Sequence, residues 1–245
     1  MTAPVGRSAQ TAAAPLTVSR LDLGTIDTSP DFMGDAMPIH GYAVRHPQGV
    51  VVVDTGLGFL PQPTFPESWV ARPRSLESAL ADHGIALAEV AFLVQTHLHT
   101  DHYGENAALA GVPVFVQRAE LERARAEERL RERFDLPGVR FELVDGDEEI
   151  LPGIDVLATP GHTVGHQSVL VGGADGGELL VGDAAYTVEQ WRGDVDLTAE
   201  MRRLAVRAGF EEWLASLERL RGLEPGLSRI HFSHDRRTVT GGAAA

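Results

Sequence analysis

An apolar run, Val90-Ala91-Phe92-Leu93-Val94, gives way almost at once to Thr96-His97-Leu98-His99-Thr100-Asp101-His102. This junction constrains the chain more than any other stretch. The run is short and wholly apolar, as expected of a buried strand. The loop after it carries four metal-binding side chains within six positions. His97 and His99 are two apart in an extended or turning backbone and point the same way. Asp101 and His102 follow where the chain bends into the next helix. Imidazole and carboxylate donors suit a borderline ion, zinc first, with iron, manganese or cobalt as alternatives. Histidines serving only to cap a helix seldom cluster so densely. The reading is a metal site.

A metal site needs a closed set of ligands, and three further strand ends offer them. His162 lies in Thr159-Pro160-Gly161-His162-Thr163, Asp183 in Val181-Gly182-Asp183-Ala184-Ala185-Tyr186, and His234 in His231-Phe232-Ser233-His234-Asp235. Each directly follows an apolar run, and strand-end loops on one edge of a sheet sandwich converge on a shared cleft. Together with His97, His99, Asp101 and His102 they are too many for one tetrahedral zinc. They suit two ions about 3.5–4 Å apart that share a bridging carboxylate. Asp54-Thr55-Gly56 ends another strand, where the carboxylate either orients a metal-bound histidine or makes an Asx turn. His166 and Gln167 read as support or core, and His231 as core or a neighbour of the site. His40, His46 and His83 read as surface histidines.

Along the chain, strands are expected at Leu16–Thr25, Tyr42–Arg45 and Val50–Asp54, the last two joined by the turn-like His46-Pro47-Gln48-Gly49. Residues 27–40 read as a loop in which Phe32, Met33 and Met37 plug the core or line a pocket. Residues 57–74 hold four prolines with Phe59, Phe65 and Trp69 and read as an irregular cover, a lid or a dimer contact. Ser75–His83 reads as a helix capped by Ser75 and stopped at Gly84. Beyond the histidine loop come a short helix at Glu105–Ala110, a strand at Val112–Val116 and a helical run at Ala119–Arg133. Strands follow at Arg140–Val144, Ile154–Ala158, Ser168–Val171 and Leu179–Val181. Helices at Ala199–Arg207 and Phe210–Arg221 precede a last strand at Arg229–Phe232. Strands with interspersed helices point to layered sheets covered by helices. No composition break marks a linker, so residues 16–240 are expected to form one domain, with 1–15 and the Gly-Gly-Ala-Ala-Ala end disordered.

The formal net charge of −14 argues against nucleic acid as a partner. The arginines from Arg118 to Arg133 alternate with glutamates, as on a solvated helix face. Cysteine is absent, which excludes disulfides and thiolate zinc sites and leaves the redox compartment open. Neither a signal-peptide core nor a membrane span is legible, so the expectation is a cytoplasmic protein that neither binds nor crosses a membrane.

The full set, His-x-His-x-Asp-His, Gly-His, Gly-Asp and a late Ser-His, resembles the metallo-β-lactamase superfamily from about residue 17 to 236. Asp54-Thr55-Gly56 matches its early motif. Thr159 to Ser168, the Asp183-Ala184-Ala185-Tyr186 spacing, Phe232-Ser233-His234-Asp235 and Val116-Gln117-Arg118-Ala119-Glu120 look like the N-acyl-homoserine lactonase, or quorum-quenching, branch. That resemblance implies an αββα sandwich of two mixed β-sheets flanked by helices, holding two zinc ions. By it, His97, His99 and His162 would hold one ion, Asp101, His102 and His234 the other, and Asp183 would bridge. Tyr186 would match the tyrosine that contacts the substrate carbonyl, though a plain core tyrosine would also occupy such a place. The chain departs from the branch at Tyr103-Gly104-Glu105-Asn106, where Tyr103 could narrow the pocket, and over residues 187–209.

The expected activity is hydrolysis of a small-molecule lactone, foremost an N-acyl-homoserine lactone, by a metal-bridging hydroxide, with Asp101 relaying a proton. Phe32, Met33, Phe65 or Trp69 would carry the acyl chain, and a homodimer is left open. The nearest rivals are another substrate on the same site: a thioester of the glyoxalase II type, an aryl ester or a β-lactam. A redox di-iron site would put a carboxylate where His99 stands. A non-catalytic metal-binding protein would not explain why every ligand position is filled.

Overall fold

The computed structural model describes residues 16–28, 36–59, 66–127, 131, 134–173, 176–195 and 209–242. In chain order its strands and helices are β1 (Thr17–Asp27), β2 (Met37–His46), β3 (Gly49–Val53), β4 (Val70–Pro73), α1 (Leu76–Ala81), β5 (Val90–Val94), β6 (Pro113–Gln117), α2 (Arg118–Ala126), β7 (Arg140–Val144), β8 (Glu148–Leu151), β9 (Ile154–Ala158), β10 (Gln167–Val171), β11 (Glu178–Leu180), α3 (Val188–Arg192), α4 (Phe210–Arg221), β12 (Arg229–His231) and β13 (Thr238–Thr240). They form a seven-stranded sheet ordered β4-β1-β2-β3-β5-β6-β7 and a six-stranded sheet ordered β13-β12-β11-β10-β9-β8. Both are mixed: β3, β5, β6 and β7 run parallel, as do β11 and β12, and the remaining pairs are antiparallel.

The period of two along each strand divides the core. Val51 and Val53 face the inter-sheet layer with Ile154, Val156, Val169 and Val171 of the other sheet. Val50 and Val52 face outward, onto Leu76, Ala79 and Leu80 of α1. On the second sheet Leu157, Leu170, Leu179 and Ile230 meet Trp213, Leu217 and Leu220 of α4. Those three fall four and then three residues apart, one stripe of a helix. Burying each such side chain stabilises by about 1.5–3 kcal/mol. Glu211 and Glu212 in the first turn, with Arg219 and Arg221 in the last, suit the helix macrodipole. The result is an αββα sandwich.

Several expectations shift. Strand β2 begins at Met37, so the end of the supposed 27–40 loop is a strand, and His40 on it is buried, 4% exposed, rather than a surface histidine. β4 lies inside the segment read as irregular, and Trp69 packs on the outer core of the first sheet. α1 begins after a Ser75 cap, whose hydroxyl accepts from Ser78 N. The short helix after the histidine loop is 3-10, Asn106–Leu109. Tyr103 is buried with Leu98, Val116, Leu121 and Phe134 beneath α2, so it belongs to the core. Phe32, Met33, Phe65, the helix expected at Ala199–Arg207, residues 1–15 and residues 243–245 of the Gly-Gly-Ala-Ala-Ala end lie outside the described residues, whereas Gly241 of that end, expected to be disordered, is buried and donates to Ser228 O at 3.3 Å.

Candidate metal centre

The strands that carry candidate ligands end at a common edge. Asp54 follows β3 with φ 59°, the one described non-glycine residue in the left-handed region, a conformation Asp and Asn tolerate better than most. Its Oδ1 accepts from Thr96 N at 2.8 Å and its Oδ2 from the Thr96 hydroxyl at 2.7 Å. The same Oδ2 lies 2.7 Å from His102 Nδ1. That contact leaves His102 Nε2 to face the cluster. The expected orienting role of Asp54 has its geometry here. Backbone bonds zip the two loops together: Thr55 N donates to His102 O and Gly104 N to Gly56 O, both at 2.6 Å.

Three imidazoles converge next. His162 Nε2 is 3.2 Å from His97 Nε2 and 2.9 Å from His99 Nδ1, and His97 Nε2 is 3.0 Å from His99 Nδ1. Tetrahedral ligands on zinc bonds of ~2.0–2.1 Å stand roughly 3.3 Å apart, so the spacing is close to that of a shared ion. Asp101, His102 and His234 form a second group, with Asp101 Oδ2 3.7 Å from His102 Nε2 and 3.8 Å from His234 Nε2. Each group has its ligand atoms within 4.8 Å of one another. Asp183 stands between: Oδ2 is 3.3 Å from His162 Nε2 and 3.7 Å from His97 Nε2, while Oδ1 is 3.3 Å from His234 Nε2 and 3.4 Å from His102 Nε2. All seven candidate ligands are brought together.

The ligand atoms are deeply buried, which makes those without partners informative. His102 Nε2, His234 Nε2 and Asp183 Oδ1 are buried without a hydrogen-bond partner. Orphaned buried polar atoms are expensive, and three of them aimed at one another fit a cation among them. Electrostatics divides the imidazoles. Burial, then the neighbouring His102 and His99, push His97 well below the usual histidine range. Burial and His99 do the same to His162, against the pull of Asp183. Burial also opposes charge on His102, but Asp183, Asp54 and Asp101 overcome it and raise its pKa well above the ordinary value. His234 is raised likewise, with Asp183 and Asp101 outweighing burial. Burial works against the Asp183 carboxylate too, yet His102, His234 and His162 hold it ionised.

Neighbouring groups fix these side chains, and spacing in the sequence gives little sign of them. His234 Nδ1 donates to Pro38 O at 3.0 Å, and His40 N to Ser233 O at 2.9 Å, so β2 holds the His234 loop. Asp183 N donates to His166 Nε2 at 2.9 Å. His166 is therefore support, as expected. The Tyr186 ring is 4.7 Å from that of His234 and 5.7 Å from that of His162. Burial, then Asp183 and Asp101, raise its pKa well above the usual phenol value, so it stays an O–H donor. A cleft of about 410 Å³ opens beside His234, lined by Pro38, Thr187, Glu189, Asp235, Arg236 and Arg237 among others.

Imidazoles and carboxylates gathered at the strand ends of an αββα sandwich define a metal-dependent hydrolase centre. The family described as the metallo-beta-lactamase superfamily matches residues 34–234, and the chain belongs to it. It is 33% identical over 214 residues to an N-acyl homoserine lactonase of a Bacillus species, covering 81% of this chain and 82% of that one. A Bacillus cereus N-acyl homoserine lactonase is 32% identical over 222 residues with the same coverage. A variant of B. thuringiensis AiiA with N-decanoyl-L-homoserine bound at its active site superposes with TM-score 0.75 at 27% identity, covering 91% of this chain and 94% of that one. An N-acyl homoserine lactone hydrolase with the product N-hexanoyl-L-homoserine at its catalytic metal centre gives TM-score 0.74 over the same shares, also at 27% identity.

Proposed function

We propose that the chain is a lactonase that opens the ring of N-acyl-homoserine lactones with a pair of zinc ions. One observation carries this reading: the two oxygens of Asp183 face different ligand groups, Oδ2 towards His162 and Oδ1 towards His234, each at 3.3 Å. A carboxylate so placed would be shared by the two groups. His97, His99 and His162 would hold one ion, and Asp101, His102 and His234 the other. The similarity to N-acyl homoserine lactonases supports the substrate. When bound, such ions supply a hydroxide at neutral pH and a Lewis acid for the carbonyl.

The chain's own groups do the rest. Tyr186, kept as a neutral phenol by burial and by Asp183, donates its O–H to the lactone carbonyl oxygen as negative charge gathers there. Water adds to that carbon and gives a proton to Asp101 Oδ, the ring C–O bond breaks, and Asp101 passes the same proton to the departing alkoxide, giving the open hydroxy acid. Asp101 is the more exposed of the cluster's carboxylates, 13% against 2% for Asp183, as a group that exchanges protons with solvent must be. Among the described residues no helix is long and apolar enough to cross a membrane. The test is ring opening of N-hexanoyl-homoserine lactone by zinc-loaded protein alongside His102→Ala and Asp183→Ala. Both variants should fold and lose about 100-fold or more in kcat; undiminished turnover in either would remove the proposal.

A further inference from the structure

Glu120 is fully buried, belongs to neither ligand group, and is the third residue of α2. Its Oε1 accepts from Leu98 N at 2.8 Å. Leu98 is the residue between His97 and His99. One turn further along α2, Arg123 pairs with the same Oε1 at 2.6 Å and donates to Leu98 O at 3.3 Å. The two peptide units joining His97 to His99 are thus each gripped by one member of a buried ion pair. The Leu98 side chain is fixed as well, in the core with Leu121 and Ala124 of the same helix.

The loop that carries the third ligand of that group abuts the same residue. A Cβ at Gly165 would stand 2.1 Å from Glu120 N, so the His162 loop is pressed against the start of α2. The second group rests chiefly on other supports, Asp54 behind His102 and Pro38 O behind His234, although Asp54 also reaches His97 through the Thr96 hydroxyl, which lies 3.1 Å from His97 Nδ1. We propose that the Glu120–Arg123 pair is the positioning device of the His97–His99–His162 group, and sets the affinity of that group for metal separately from the other. The inference rests on the two-metal reading. A buried ion pair is by itself weak evidence for stability. What singles this one out is that both its members bond the backbone of Leu98, between two candidate ligands, while Arg123 also pairs with Glu127 at 3.4 Å.

The experiment is stepwise titration of metal-stripped protein with cobalt(II), followed by its visible absorption and by competition with a chelator. The unsubstituted protein should take up two equivalents. In Glu120→Gln, which keeps shape and loses charge, one equivalent should weaken about 10–100-fold while the other is unchanged, the usual size of such an outer contact. Asp54→Asn, which loses the direct contact with His102 and touches His97 only through Thr96, should weaken the opposite equivalent more than this one. Arg123→Lys keeps the charge but gives up the fork that reaches Leu98 O, and should weaken the same equivalent as Glu120→Gln by less. It carries the test if Glu120→Gln does not fold. Equal weakening of both equivalents, no change in either, or loss of the one that Asp54 serves would overturn the inference. A single equivalent in the unsubstituted protein would overturn the two-metal reading itself.

Discussion

His102 Nδ1 lies 2.7 Å from Asp54 Oδ2, and Asp54 adopts a left-handed backbone to reach it. One carboxylate thereby fixes the ring of a candidate ligand and ties β3 to the loop after β5. Asp54→Asn keeps the backbone conformation and removes the charge. Metal affinity at the second group should fall about 10–100-fold with little change in fold, read by chelator competition alongside a urea unfolding curve. Unaltered affinity would mean that His102 does not need Asp54.

Tyr186 contributes a donor, its phenol pKa raised by burial and by Asp183 and Asp101. Tyr186→Phe should lower kcat about 100-fold, as loss of an oxyanion donor does elsewhere, with a smaller effect on KM. Steady-state kinetics on a homoserine lactone would show this. Unchanged kcat would return Tyr186 to the plain core role the sequence also allowed.

Gly161 sits one residue before His162 with φ 143°, and a Cβ there would stand 2.2 Å from the Trp213 backbone. α4 therefore packs directly against the ligand loop. Gly161→Ala should destabilise by about 1–3 kcal/mol, as overpacking does, and should lower activity by displacing His162. Chemical denaturation and kcat/KM on one preparation would measure both; wild-type values would show that the loop yields freely.

His40 is a buried neutral imidazole whose pKa is lowered to about 4, first by burial and then by Arg20. The unfolded chain binds a proton near pH 6.5 that the folded one refuses, so this site destabilises the fold progressively as pH falls from about 6.5 to 4. The slope is about 1.4 kcal/mol per unit, or roughly 3 kcal/mol across the window. His40→Asn retains a donor for Phe232 O and should lose less stability than wild type between pH 7 and 4.5. Parallel urea midpoints that fall equally would contradict this account of His40.

The ligand set was legible because each member follows an apolar strand, and strands of four or five buried residues are the plainest pattern in the chain. Arg140–Val144, Ile154–Ala158 and Phe210–Arg221 match their elements end to end. Three of the four edge strands were not legible. β8 opens with two exposed glutamates, β4 ends in a proline, and β13 is three residues long, so none shows a buried period. His40 was misread because its burial depends on a loop nearly two hundred positions away. Glu120 stood out only through the resemblance. Its task depends on Leu98 and Gly165 meeting α2 in space, which no spacing along the chain records.

The central claim is a two-zinc lactonase, and the most direct measurement is turnover by protein of known metal content. The panel is homoserine lactones of several acyl lengths, a thioester and a β-lactam. The account predicts two zinc ions per chain and ring opening of the homoserine lactones well ahead of the other substrates. Two metals with preferential thioester or β-lactam hydrolysis would contradict the substrate assignment, and a chain that binds no metal would contradict the site.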